Sequence, residues 1–238
     1  VSGIDAVCFD LDGTLLRDDH LMSIMDTVAT SLAGRHPGLV AEDLRASNRR
    51  HAEAVWRDWE VAWCRGESPL QEISSLVWTA VLGDAGIVDA DSVAEACRLQ
   101  EQLERESWRL YDESIEVVHG LRERGIRVAV ITNGPSEFQR AKLETVGMTT
   151  AFDAIVVSGD RGIEKPRPEI FETALSALGA EPSAALHIGD SRSADVVGAH
   201  AAGMAAVWLD RSGIGSLEPH QHADAVVTDL RGLYPLLS

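Results

Sequence analysis

Two aspartates one residue apart, Asp10 and Asp12, close the first apolar run of the chain, and further groups able to do chemistry stand in comparable places downstream: Thr132 with Asn133, Lys165, and Asp190. Each follows a short apolar segment, directly or within several residues. Gathering several carboxylates in one place is unfavourable unless a cation or protons neutralise them, so the set itself argues for a bound metal ion. Its ligands are all oxygen donors. A few carboxylates with open positions suit Mg2+, which keeps waters and shares phosphate oxygens, better than they suit zinc. Lys165 would add the second positive charge that a phosphate group needs.

These residues must be positioned by a sheet. The run Ile4–Phe9 is short, rich in strand formers and closed by Asp10-Leu11-Asp12-Gly13-Thr14, which reads as a buried strand ending in a turn. From Leu21 to Leu110 the apolar spacing is helical and predicts helices near Leu21–Ala33, Ala41–Arg65, Pro69–Leu82 and Ser92–Leu110, with Ser68-Pro69-Leu70-Gln71 and Ser92-Val93-Ala94-Glu95 as capping boxes. After Tyr111 the rhythm alternates. A helix runs to Arg124, then strands at Arg127–Thr132, Ala154–Val157, Ala184–Ile188, Ala205–Leu209 and Ala225–Thr228 are separated by helices from Pro135, from Pro168 and over Ala194–Ala202. Strands alternating with helices imply a doubly wound α/β fold with a parallel, Rossmann-like sheet, into which the all-helical segment is inserted. The expected division is residues 1–16 plus 112–238 as the core domain and 17–111 as the helical domain. In such sheets ligands collect outside the carboxyl ends of the strands, where the polar residues above are found.

Composition narrows the partners. With 21 basic against 38 acidic side chains the formal charge is −17, which repels polyanions and argues against nucleic acid or an anionic membrane as the main partner. No apolar run approaches the roughly 18 residues of a membrane span, and the N-terminus carries no signal-peptide pattern, so a soluble cytoplasmic protein is expected. Cys8, Cys64 and Cys97 have no CxxC spacing and sit among apolar neighbours, consistent with buried thiols in a reducing compartment.

The order Asp10-Leu11-Asp12-Gly13-Thr14-Leu15, Ile131-Thr132-Asn133-Gly134, Lys165-Pro166-Arg167-Pro168 and Gly189-Asp190-Ser191, with Asp195 beyond, resembles the haloacid dehalogenase-like hydrolase superfamily, and the helical segment resembles the helical cap of its first subgroup. The resemblance implies a phosphatase acting on a small phosphorylated metabolite such as a nucleoside monophosphate or sugar phosphate. Asp10 would attack phosphorus to give an aspartyl-phosphate, while Asp12 would protonate the leaving oxygen and later activate water. Thr132 and the amide of Asn133 would hold a phosphoryl oxygen, and Lys165 would steady Asp10 and the phosphoryl group. Asp190 would bind Mg2+ beside the Asp10 carboxylate and the Asp12 backbone carbonyl, with Asp195 behind it. To act as an acid Asp12 must begin protonated, so its acidic neighbours and partial burial are expected to raise its pKa.

Rival readings share parts of this pattern. Carbon–halogen hydrolysis would need neither a metal nor an acid at Asp12; phosphomutase chemistry differs only in where the phosphoryl group goes. A phosphoacceptor switch also combines acids, Thr and Lys around Mg2+, but places its acceptor on a middle strand and needs no helical insert. Trp56, Trp59 and Trp63 recur at helical spacing, with Trp78 and Trp108 on other helices; they read as the core of the helical domain before a stacking wall for an aromatic substrate. His187 reads as a packed strand residue, and Gly213-Ile214-Gly215 lacks the third glycine of a nucleotide-binding turn. Neither substrate identity nor oligomeric state is written in these patterns.

Overall fold

The computed structural model describes residues 3–213 and 222–237. Among them β1 (Ala6–Phe9), β2 (Arg127–Thr132), β3 (Ala154–Val157), β4 (Ala185–Gly189), β5 (Ala205–Leu209) and β6 (Ala225–Val227) form one parallel sheet in the order β3-β2-β1-β4-β5-β6. The helices are α1 (Leu21–Arg35), α2 (Ala41–Cys64), α3 (Leu70–Asp84), α4 (Ala90–Ser107), α5 (Ser114–Glu123), α6 (Ser136–Thr145), α7 (Pro168–Leu178), α8 (Val197–Ala201) and α9 (Leu233–Leu236). This is the expected doubly wound α/β architecture. The strand order reverses about β1, so the crevice for a ligand opens at the carboxyl ends of β1 and its neighbours.

Alternation along the strands builds two unlike faces. Val7, Phe9, Val128, Val130, Leu186, Ile188, Val207 and Leu209 turn one way and meet Val117, Val118 and Leu121 of α5. Ala6, Cys8, Ala129, Ala185 and Ala206 turn the other way. That second face is made largely of small residues, so α7 comes close and Phe171, fully buried, fills the space against them. Burial on both faces is why these strands read as continuous apolar runs. Burial within β1 raises the Cys8 thiol to about 12, and burial at the end of α2 raises the Cys64 thiol to about 11, which disfavours the reactive thiolate in both.

The four helices α1–α4 are packed around a core of their own, made by Ile24, Val28 and Leu32 of α1, Leu44 of α2, Val77, Trp78, Val81 and Leu82 of α3, and Ala96 of α4. The chain enters and leaves this insert through two adjacent segments. Leu16 bridges Leu110, Arg17 N–H donates to the Arg109 carbonyl at 3.0 Å, and Tyr111 N–H donates to the Leu15 carbonyl at 3.0 Å.

Several local expectations are corrected. The boxes at Ser68 and Ser92 do not form. α3 starts at Leu70 behind Pro69 with no side-chain cap, whereas α4 starts earlier, behind Asp89, whose carboxylate accepts from Ser92 N–H at 2.8 Å. An aspartate three residues upstream outcompetes Ser92 as the cap. The helix expected over Ala194–Ala202 begins instead as a wider π turn, Arg192–Val196, before α8. Of the tryptophans, only Trp78 lies in the insert's core; Trp56 is exposed, Trp59 is half-buried, and Trp63 leans across onto Phe138 of α6, with ring centroids 6.4 Å apart. Their spacing is helical, but none of the three is among the buried residues of α2, which are Leu44, Ser47, Asn48 and Cys64. Of the Gly213-Ile214-Gly215 turn, only Gly213 falls within the described residues. No helix among those residues is long and apolar enough to cross a membrane.

Candidate active site

The carboxyl ends of the central strands bring the expected residues to one rim. Asp10 follows β1, and its side chain is only 9% exposed; Lys165, on the segment after β3, is 3% exposed and donates to Asp10 Oδ1 at 2.6 Å. The same ammonium donates to Asp195 Oδ1 at 2.7 Å, and His187 Nε2 lies 2.9 Å from that oxygen. Against a carboxylate Nε2 is the protonated, donating nitrogen. His187 therefore does more than pack against Phe171: it completes a buried chain His187, Asp195, Lys165, Asp10.

Charge follows from this chain. Burial lifts Asp10 well above the usual carboxylate range; Lys165 pulls against it, while Asp195 and Asp190 reinforce it. Burial also pushes Asp195 up, but Lys165 and His187 outweigh it and hold the group far below its ordinary value. Asp190 lies exposed at the rim, yet partial loss of surrounding water and the nearby Asp195 charge raise it to about 6. Burial would strip Lys165 of its proton were it not for Asp10 and Asp195, whose combined pull keeps it protonated.

Asp12 departs from expectation. Lys142 Nζ donates to both its carboxylate oxygens at 2.8 Å, and Gln139 Nε2 donates to Oδ2 at 3.0 Å. Partial burial raises its pKa, but Lys142 and Gln139 win, so the carboxylate is held below its ordinary value rather than above it. Lys142 and Gln139 lie one turn apart on α6, both buried, and neither was singled out from the sequence. Gln139 also donates to Thr132 Oγ1 at 2.8 Å and to the Asn133 carbonyl, so one amide ties the loop after β2 to the loop after β1. The Asn133 side chain faces Lys165: Nδ2 donates to the Lys165 carbonyl at 3.1 Å and Oδ1 accepts from Lys165 N–H at 2.8 Å. That side chain holds the lysine segment, leaving only the Asn133 backbone amide for an anion.

The donor set fits a magnesium ion. Oxygens of Asp10, Asp190 and Asp195 lie within 4.8 Å of one another. Asp195 is already engaged, by Lys165 and His187 through Oδ1 and by Ser191 N–H through Oδ2. Capacity remains on Asp10 and Asp190, both lifted above the ordinary carboxylate range by burial, with neighbouring carboxylates adding to it. Gly13, at φ +75°, lets the β1 loop pass beside them; a Cβ there would lie 2.5 Å from Asp190 Oδ2. Arg211 holds this loop by donating to the carbonyls of Gly13 and Thr14 while its third nitrogen pairs with Glu113.

The helical insert covers the rim from one side. Arg65, just past α2, makes a two-point ion pair with Glu164, the neighbour of Lys165, at 2.8 and 3.2 Å. Ser158 Oγ donates to the Cys64 carbonyl, and Trp63 packs against Gly134.

The model of the haloacid dehalogenase-like hydrolases matches residues 4–203. A phosphoserine phosphatase of Thermus thermophilus is 33% identical over 246 aligned residues, covering 94% of this chain and 96% of that protein. The N-acylneuraminate-9-phosphatase of Rattus norvegicus is 26% identical over 238 residues, covering 95% and 92%. Among solved structures, a HAD phosphatase from Thermococcus onnurineus superposes with a TM-score of 0.68 at 28% identity over 98% of this chain and 97% of that one. The magnesium-bound putative HAD-hydrolase YfnB of Bacillus subtilis shares the fold with a TM-score of 0.75 at 23% identity, covering 99% of each chain. Motif order, sheet topology and a family model spanning most of the sequence agree, and the chain belongs to the haloacid dehalogenase-like hydrolases.

Proposed function

We propose that this protein is a phosphatase of small phosphorylated metabolites, working through a phosphorylated Asp10. The observation that carries the reading is the buried Asp10 carboxylate, 2.6 Å from the Lys165 ammonium and clustered with Asp190 and Asp195. The phosphatases among its relatives support it.

Asp10 attacks phosphorus; the bond to the leaving oxygen breaks and that oxygen takes a proton from Asp12. Water then attacks the aspartyl-phosphate, and Asp12, now a carboxylate, receives the water's proton while Asp10 is regenerated. The Lys142 pair suits Asp12 to the second step as it stands. For the first it must gain a proton, which the arrival of an anionic phosphoryl group beside it favours. Lys165, kept charged by Asp195, neutralises the phosphoryl oxygens, and Thr132 with the Asn133 amide holds one of them. Mg2+ would be held by Asp10 and Asp190 with the Asp12 carbonyl, and when bound it supplies the charge neutralisation that lets one anion approach another. Residues 17–111 act as a cap over the core formed by 1–16 and 112–238, excluding bulk water around the transfer.

Phosphate release from a panel of nucleoside monophosphates, sugar phosphates and phosphoserine, with magnesium and with chelator, tests the reading. The native protein is expected to turn over at least one of them only with metal, and Asp10→Asn to lose at least about a thousandfold in turnover. Undiminished turnover by Asp10→Asn would sink the nucleophile assignment.

A further inference from the structure

Glu104 of α4 is a buried carboxyl group that the proposed mechanism leaves unused, 7% exposed. It sits at the end of a directed chain through the insert: Trp78 Nε1 donates to Gln100 Oε1 at 2.7 Å, and Gln100 Nε2 donates to Glu104 Oε1 at 2.8 Å. Its other oxygen, Oε2, takes no hydrogen bond from the described residues. Arg105, the adjacent cation, is turned to Glu101 instead, at 3.1 and 3.2 Å.

Its face points to the active site. Trp108, four residues on and therefore on the same side of the helix, packs edge-on against Phe138 with centroids 5.4 Å apart. Lys142 Nζ stands 4.6 Å from the centre of that same Phe138 ring, and it is the group that grips Asp12 at 2.8 Å. Burial raises the Glu104 carboxyl above its ordinary value, while Gln100 and Lys142 pull against it. The insert thus places a carboxylate on the side of α4 that leads through Trp108 and Phe138 to Lys142 and Asp12.

We propose that Glu104 is the recognition group for an ammonium substituent on the alcohol part of the substrate, an inference that rests on the phosphatase reading and narrows its substrate class to amine-bearing phosphomonoesters. A buried carboxylate that accepts one amide hydrogen bond and none from a cation is costly to keep charged. An ammonium group delivered by the substrate supplies the missing partner through a charge-assisted hydrogen bond to Oε2. A neutral or anionic alcohol of the same size leaves the carboxylate unpaired and binds less well for that reason.

The test compares O-phospho-L-serine with 3-phosphooxypropanoate, the same ester without its amine, on the native protein and on Glu104→Gln, which keeps the Gln100 bond through its own Oε1. The native protein is expected to prefer the amine-bearing ester. Glu104→Gln is expected to lose about ten- to a hundredfold in kcat/KM for it, mainly through KM, and to stay within about twofold for the other. Equal losses on both esters with a lowered Tm would mark Glu104 as a packing residue, and equal use of both esters by the native protein would equally overturn the proposal. Calorimetric titration with the same pair reads the preference without turnover. A chain that binds O-phosphoserine preferentially yet releases no phosphate sinks the phosphatase reading and keeps this one.

Discussion

Lys142 holds both carboxylate oxygens of Asp12 at 2.8 Å, from a helix 130 residues further along the chain. The pair sets the protonation state of the group proposed to move protons. Asp12 works as a base only when ionised, so the activity that depends on it fails as pH falls through its folded pKa, which Lys142 and Gln139 keep below 3.8. Lys142→Met removes the larger restraint and leaves the burial that raises the group. The acid limb of kcat against pH is expected to move upward by about one unit or more, and Lys142→Arg to restore it in part. An acid limb unmoved by Lys142→Met would mean that Asp12 is not the titrating base.

Metal binding should show its own pH dependence. Asp190 stands near 6 before any cation arrives. A divalent ion must displace that proton to bind, so affinity is complete above this value and weakens as pH falls through it, by up to about tenfold per pH unit. Titrating magnesium into the protein calorimetrically at pH values on either side of about 6 measures the slope, and Asp190→Asn is expected to flatten it. A magnesium affinity independent of pH across that window would show that Asp190 takes no part in binding.

Much of this was legible in the chain, and the exceptions have a common cause. Arg127–Thr132, Ala154–Val157 and Ala205–Leu209 are strands at the expected limits because apolar residues buried on both faces leave an uninterrupted signature. Asp10, Lys165 and Asp190 were readable because the rule about strand ends converts position in sequence into position in space. Lys142 and Gln139 escaped because they sit mid-helix, where a polar residue reads as solvated. The clue was that they share a face with Leu143, a polar pair on the buried stripe of α6. The expected upward shift of Asp12 rests on its acidic neighbours and partial burial and omits Lys142 and Gln139, which reverse its direction. The tryptophans of α2 failed differently: helical spacing tells which residues share a face, not which neighbour that face meets.

The buried Lys165–Asp195 pair predicts acid sensitivity. The folded pKa of Asp195 lies far below its ordinary value of 3.8. Its contribution to stability is therefore fully present above that ordinary value and is lost as pH falls from there toward the folded pKa. Asp195→Asn removes this dependence but leaves Lys165 and His187 facing a neutral amide, which costs about 3 kcal/mol or more at neutral pH. Urea unfolding near pH 7 and near pH 3 is expected to show the native protein losing more between the two conditions than the variant does. Equal losses would mean that the pair adds nothing to folding.

Gly13 offers a way to damage the proposed magnesium site while sparing the fold. Its φ of +75° is strained for any residue with a side chain, and a Cβ would lie 2.5 Å from Asp190 Oδ2. The backbone penalty of Gly13→Ala is on the order of 1–3 kcal/mol, well short of what a domain of this size needs to unfold. The methyl group must nevertheless push the Asp190 carboxylate aside, and with it one of the two oxygen donors that have capacity for a cation. Gly13→Ala is expected to keep its cooperative thermal transition while magnesium affinity falls by about tenfold or more, as a displaced ligand would cause. Circular dichroism melting beside magnesium calorimetry separates the two effects. A variant that melts normally and binds magnesium as the native protein does would show that the cation sits away from Asp190.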